Sequence, residues 1–162
     1  MKKTLLFLSF LLTVSTLSFA QKASPHVTAE SKNVKVTYGQ PSKKGRVIFG
    51  GLEKFGTVWR TGADEATEIT FHKDGKFGGK SVKAGTYTLF SKLGEKEWTI
   101  ILNSELKQWG AYGYDKIKDK NVVEVTVPTK QVPVVEKLTI TTDDKVLTIS
   151  WDTTSVSIPM EF

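Results

Sequence analysis

Runs of apolar residues at every second position recur from Val34 to the end of the chain, and that period constrains the fold more than any other feature. A period of two places alternate side chains on opposite faces of an extended strand, so one face can be buried while the other stays wet. Val34, Val36 and Tyr38 form one such run, and Thr67, Ile69 and Phe71 another. Tyr87 and Leu89 follow, then Trp98, Ile100 and Leu102, then Val123, Val125 and Val127 before Pro128. Leu138 with Ile140, Leu147 to Trp151, and Val156 to Phe162 complete the series. Turn residues separate the runs at Lys73-Asp74-Gly75, Lys83-Ala84-Gly85, Gly94-Glu95-Lys96, Thr142-Asp143-Asp144 and Asp152-Thr153-Thr154. No helical period competes. The expectation is all-β: a single β-sandwich of eight or more short strands over residues 33–162, with an open β-barrel as the alternative. Residues 21–32 are polar and unpatterned and read as a flexible lead.

The first twenty residues follow a different rule. Lys2 and Lys3 precede an apolar run from Leu5 to Leu12, and Ser18-Phe19-Ala20 supplies the small-residue spacing of a signal-peptidase site. Residues 1–20 therefore read as a signal peptide cleaved before Gln21. The apolar run is shorter than the ~20 residues needed to cross a bilayer, so no membrane span is expected after cleavage. The expected product is exported, to the periplasm or beyond the cell. With no cysteine in the chain, a thiolate metal site, a disulfide and an N-terminal lipid-modified cysteine are all excluded. The 142 residues left after cleavage suffice for one cored domain, and the apolar alternation up to Phe162 reads as a stand-alone module built to its last residue.

Charge is unevenly chosen. Of 23 basic residues, 21 are lysines; the two arginines, Arg46 and Arg60, lie fourteen positions apart in one glycine-rich stretch. Lysine serves as a solvated point charge, whereas the planar guanidinium can grip a carboxylate with two bonds or lie on an aromatic ring. The lysines are scattered, commonly at turns, where they keep strand edges from pairing with other chains. A phosphate-binding face would cluster them, so nucleic acid is not an expected partner. Geometry is expected to matter at Arg60, in the run Trp59-Arg60-Thr61-Gly62-Ala63-Asp64-Glu65.

Tyr38-Gly39-Gln40-Pro41, Gly45-Arg46-Val47-Ile48-Phe49-Gly50, Trp59-Arg60-Thr61-Gly62-Ala63, Ala84-Gly85-Thr86-Tyr87, Trp98-Thr99-Ile100-Ile101-Leu102-Asn103 and Trp109 with Tyr112 and Tyr114 occur in that order, with Leu147-Thr148-Ile149-Ser150-Trp151 closing the series. Over roughly residues 33–162 their order and spacing resemble an exported bacterial family known as domain of unknown function 2911. The resemblance implies a small exported β domain with no established activity.

The residues offer little catalytic chemistry. His26 lies in the lead and His72 at a strand end, so no His cluster for a transition metal forms and no metal or cofactor is expected. A Ser-His-Asp triad would need His72 and a nucleophile elbow that is missing, and neither a phosphate loop nor a dinucleotide fingerprint occurs. Asp143 and Asp144 read as turn residues, since a calcium site needs ~6–8 oxygens. Asp64 and Glu65 are the carboxylates best placed for hydrolysis, provided that Gly62-Ala63 turns them toward one site; otherwise one of them pairs Arg60 and the other is solvated.

Aromatic residues give the stronger lead. Trp109-Gly110-Ala111-Tyr112-Gly113-Tyr114 sets large rings among glycines without strand alternation, as expected of a loop at a sheet edge. Exposed rings there can stack on a sugar or hold a peptide, while the same rings can equally close a sandwich core. Trp59, Trp98 and Trp151, set in strand patterns, are expected in the core. The candidate ligand-binding set is Arg60, Asp64, Glu65, Asn103, Trp109, Tyr112 and Tyr114. Three functions remain open at this point: binding of a small polar ligand such as a saccharide or peptide fragment, a carboxylate-dependent hydrolase, and a non-catalytic envelope scaffold.

Overall fold

The computed structural model describes residues 24–162; the signal-peptide reading lies outside them. The strands are β1 (His26–Glu30), β2 (Val34–Gly39), β3 (Val58–Trp59), β4 (Glu68–Phe71), β5 (Gly75–Phe77), β6 (Lys80–Val82), β7 (Gly85–Lys92), β8 (Glu97–Asn103), β9 (Asn121–Thr142) and β10 (Val146–Glu161). They pair antiparallel in the order β1-β2-β4-β7-β8-β9-β10-β5-β6, with β3 beside β7 off that path. The path does not close into a barrel. It folds over at β9 into an all-β sandwich, because β9 pairs β8 up to Pro128 and β10 from Thr129 onward.

Two strands are long where short ones are expected. Pro128 and the Asp152-Thr153-Thr154 turn signal read as strand breaks, yet β9 and β10 run through both. Proline is tolerated where it owes no ladder bond. Pro128 sits at the changeover between partners, and Pro133 falls where the β9–β10 register shifts between Val135↔Asp152 and Gln131↔Thr154. Asp152 takes a positive φ of 54° in that irregularity, which bends the pair without ending it.

The lead is also partly structured. His26–Glu30 forms the edge strand β1, in register with β2 from His26↔Gly39 to Glu30↔Lys35. Its alternation is faint because an edge strand buries little: Val27 and Ala29 only partly cover the core. At the far end of β2, the turn after Glu30 is fastened to the β9–β10 turn. The Asp144 carboxylate accepts from the Ser31 hydroxyl and from the Asn33 backbone and amide N–H groups, while Asp143 accepts from the N–H groups of Lys145 and Val146.

Between the layers lies one apolar core drawn from both, including Val36, Ile69, Leu89 and Ile100 from one side and Ile140, Ile149, Ile158 and Met160 from the other. Trp59, Trp98 and Trp151 are buried at its end around Phe49. Trp59 and Trp151 stack at 5.9 Å between centroids, and Phe49 lies 4.8 Å from Trp98. A smaller cluster of Ala66, Phe90 and Ile101 forms a second core with Val58, Ala111, Tyr114 and Ile117 packed on it. That second contact seats the 105–120 connection, where Trp109 and Tyr112 lie.

Candidate functional site

The segment Arg60–Thr67 is an excursion from a single line of strand. Trp59 pairs Ser91 of β7, and Glu68 pairs Thr88 farther along the same edge. The intervening residues are closed at the base by Thr67 N–H donating to Arg60 O at 3.0 Å. Inside, the buried Thr61 hydroxyl meets Ser91 Oγ at 2.9 Å, the Thr67 hydroxyl donates to Thr61 O at 2.9 Å, and Trp59 Nε1 donates to Gly62 O at 3.2 Å. Thr61 and Asp64 hold left-handed φ of 56° and 64°, a cost that the surrounding bonds must offset. Glycine is required where the loop meets β2: a Cβ on Gly39 would lie 2.1 Å from the carbonyl oxygen of Ala63. Each polar bond inside the Trp-Arg-Thr-Gly-Ala run thus shapes the backbone and leaves the outward side chains available.

Arg60 is half-buried. Its Nη1 donates to the Asp64 carbonyl at 2.9 Å, and its guanidinium lies 5.7 Å from the centroid of the Tyr112 ring. Arg60 therefore grips the backbone of Asp64, and not its carboxylate. The Asp64 Oδ2 instead accepts from the Ser24 N–H at 2.9 Å. The left-handed turn at Asp64 sends the two neighbouring carboxylates to different clefts, both walled by Trp109. Glu65 is bridged to Trp109 in the backbone and pairs His26 Nε2 at 3.0 Å in a cleft of about 480 Å³ that also holds Tyr38, Glu68 and Lys107.

Asp64 belongs to the larger cleft, about 740 Å³. Arg60 and Asp64 form one side; Ser42, Lys44, Arg46 and Glu53 form the other; the edge of the buried Trp151 reaches its lining. The 41–53 connection is held by the bulge in β10: Asp152 pairs Lys43 at 2.9 Å and accepts from the Ile48 N–H at 3.3 Å. Arg46 is fixed by Nε and Nη2 bonds to the carbonyls of Lys43 and Ser42, 2.9 and 2.7 Å. Burial pushes the Glu53 carboxyl above its ordinary value of 4.5, against the opposing pull of the Arg60 and Arg46 charges.

Five of the seven expected site residues converge: Arg60, Asp64, Glu65, Trp109 and Tyr112. Trp109 and Tyr112 are 62% and 83% exposed, as a stacking platform requires. Asn103 does not join them. It is fully buried, donates to Ile117 O and Asn121 Oδ1, and accepts from the Glu105 N–H, so it holds the 105–120 connection to the sheet. Tyr114 packs on Phe90 at 5.2 Å and its hydroxyl accepts from Asn121 Nδ2, again an anchoring role. Arg46, Glu53 and His26 enter the site unanticipated. For Arg46 the signal was present in the scarcity of arginine; for Glu53 and His26 no local pattern marks them.

No group of three or more His, Cys, Asp and Glu side chains able to hold a metal ion occurs among the described residues. No described helix is long and apolar enough to cross a membrane. Comparison with known families matches residues 20–160 to the family described as "Protein of unknown function (DUF2911)". The chain belongs to the DUF2911 family. Both clefts and the core beneath them fall within the DUF2911 match. No curated protein and no solved structure matches the chain.

Proposed function

We propose that this DUF2911 protein is an exported, single-domain binding protein that takes a small polar ligand, a saccharide or peptide fragment, across the exposed face of Trp109. The supporting observation is that a 62% exposed tryptophan stands between two clefts, each provided with charged groups held by the surrounding backbone. An exposed ring gives apolar contact at little conformational cost, and oriented polar groups around it give selectivity. The flanking loop is braced internally, so little ordering remains to be done on binding.

The reading is tested by titrating purified protein with oligosaccharides and short peptides, following Trp109 by fluorescence against a Trp109→Ala control. Saturable binding that disappears in Trp109→Ala, with an unchanged melting temperature, supports it; ligands that bind equally to the variant refute it. N-terminal sequencing of the exported protein tests the address, for which Gln21 is the expected first residue. A catalytic reading has one observation in its favour: Glu53, a carboxyl driven toward its neutral form by burial, shares a cleft with Asp64. Hydrolysis of any bound oligosaccharide or peptide, lost in Glu53→Gln, would favour that reading.

A further inference from the structure

The cleft that contains both arginines is short of anionic partners of its own. Arginine is the side chain suited to bidentate carboxylate contacts, and the chain has only two among 23 basic residues. Among the described residues neither makes an ion pair, whereas Lys43, Lys76, Lys83, Lys118 and Lys120 all do. Both guanidinium groups are nonetheless fixed in place. Arg60 is held through Nη1 and the Tyr112 ring, and Arg46 through Nε and Nη2. These bonds leave Nε and Nη2 of Arg60 and Nη1 of Arg46 without a protein partner among the described residues. Two guanidinium groups held in place on the lining of one cleft suit an anion that the protein does not itself supply.

The two carboxylates in the cleft do not fill that role. Asp64 is turned to the Ser24 N–H, and Glu53, though within reach of the charge of both arginines, forms no ion pair with either among the described residues. With Lys44 added, three cations face two carboxylates, so the cleft lining carries net positive charge. The same two carboxylates offer acceptors suited to hydroxyl donors, and Trp109 offers an apolar face to a ring bearing C–H groups. A cyclic polyol with one carboxylate meets all three demands together.

Resting on the binding function above, we propose that the ligand is an acidic saccharide, with its carboxylate held between Arg46 and Arg60 and its ring set against Trp109. The sugar hydroxyls donate to Asp64 and Glu53. Loss of the planar fork at either arginine removes the carboxylate contact while leaving the stacking surface intact.

Calorimetric titration with trigalacturonic acid, its fully methyl-esterified form and triglutamate separates the possibilities. Trigalacturonic acid is expected to bind about tenfold or more tightly than the neutral ester, and Arg60→Lys and Arg46→Gln are each expected to remove most of that preference. Lys54→Ala, outside the cleft, keeps it. Thermal melts without ligand establish that each variant is folded; should Arg60→Lys melt early, Arg46→Gln, at an exposed position, decides alone. Equal binding of acid and ester overturns the carboxylate assignment and leaves the binding function standing. Binding of triglutamate alone overturns the saccharide assignment. Failure of all three probes at millimolar concentration overturns this proposal, and failure of the wider oligosaccharide and peptide set against Trp109→Ala overturns the binding function as well.

Discussion

Gly39 and Ala63 touch through their backbones: the Ala63 N–H donates to Gly39 O at 3.1 Å, and a Cβ on Gly39 would fall 2.1 Å from the Ala63 oxygen. This contact docks the arginine-bearing loop on β2. Gly39→Ala must push the loop outward, since a backbone carbonyl has no rotamer by which to yield. The expected cost is about 1–3 kcal/mol, typical of overpacking, together with weakened ligand binding. Urea denaturation and titration of the same variant check both, and an unchanged midpoint would show that the loop moves freely.

The tryptophans divide by position. Replacing Trp59, Trp98 or Trp151 with alanine should cost ~3–5 kcal/mol each, because each is a large buried ring in the core. Phenylalanine should separate them further. Nε1 of Trp98 is buried without a hydrogen-bond partner among the described residues, whereas Nε1 of Trp151 donates to Glu136 O at 3.3 Å. Removing an unpaired donor costs less than removing a paired one, so Trp98→Phe should be the milder change. Trp109→Ala, at an exposed position, should stay within about 0.5 kcal/mol of the parent. Urea midpoints for the set provide the check.

Alternation made the buried faces legible, since Val34 to Tyr38, Ile69 with Phe71, and Trp98 to Leu102 all lie where a period of two puts them. What it could not give was continuity. Pro128 and Asp152 carry the local marks of breaks, and only the partner strands decide that the ladder passes through them. The edge strand β1 was hidden for a related reason, as one sparsely buried strand has little pattern to show. At the site, Arg60, Asp64, Glu65, Trp109 and Tyr112 could be grouped because two short segments supply all of them. Glu53 arrives on a connection that is positioned by Asp152, about a hundred residues away in sequence, and no local rule reaches that far.

Glu53 sets a pH dependence whose sign follows from its burial. Its carboxyl is raised above 4.5 in the folded protein, so between 4.5 and the raised value the folded state holds more protons than the unfolded state. Stability from this group therefore falls as pH rises through that window, and the cost of burying the ionised form persists at neutral pH. Glu53→Gln cannot ionise. It should be more stable than the parent at neutral pH, with the difference shrinking as pH falls through that window toward 4.5 and levelling off below it. Asp74, Asp143 and Asp144 have lowered values and contribute with the opposite sign, losing their stabilisation as pH falls below about 3.8, but they do so in parent and variant alike. Parallel melts across the acid range test the difference directly; a parent more stable than Glu53→Gln at neutral pH would contradict it.

Arg60→Lys is the most discriminating substitution, because it keeps the charge and removes only the fork. Lysine can still point an ammonium toward the cleft, but it cannot both hold the Asp64 carbonyl and lie flat beside Tyr112 while presenting two further donors to a ligand. Binding should therefore drop about tenfold or more. Stability should fall only in part, since Thr61, Thr67 and Trp59 continue to hold the loop through their own hydrogen bonds. Melting and titration on the same sample distinguish the outcomes. Wild-type behaviour in both would reduce Arg60 to a solvated charge. A loss of stability equal to that of the core tryptophans would instead make its bond to Asp64 the main support of the loop, and the cleft would then owe its shape to Arg60 and its ligand contacts to Arg46 alone.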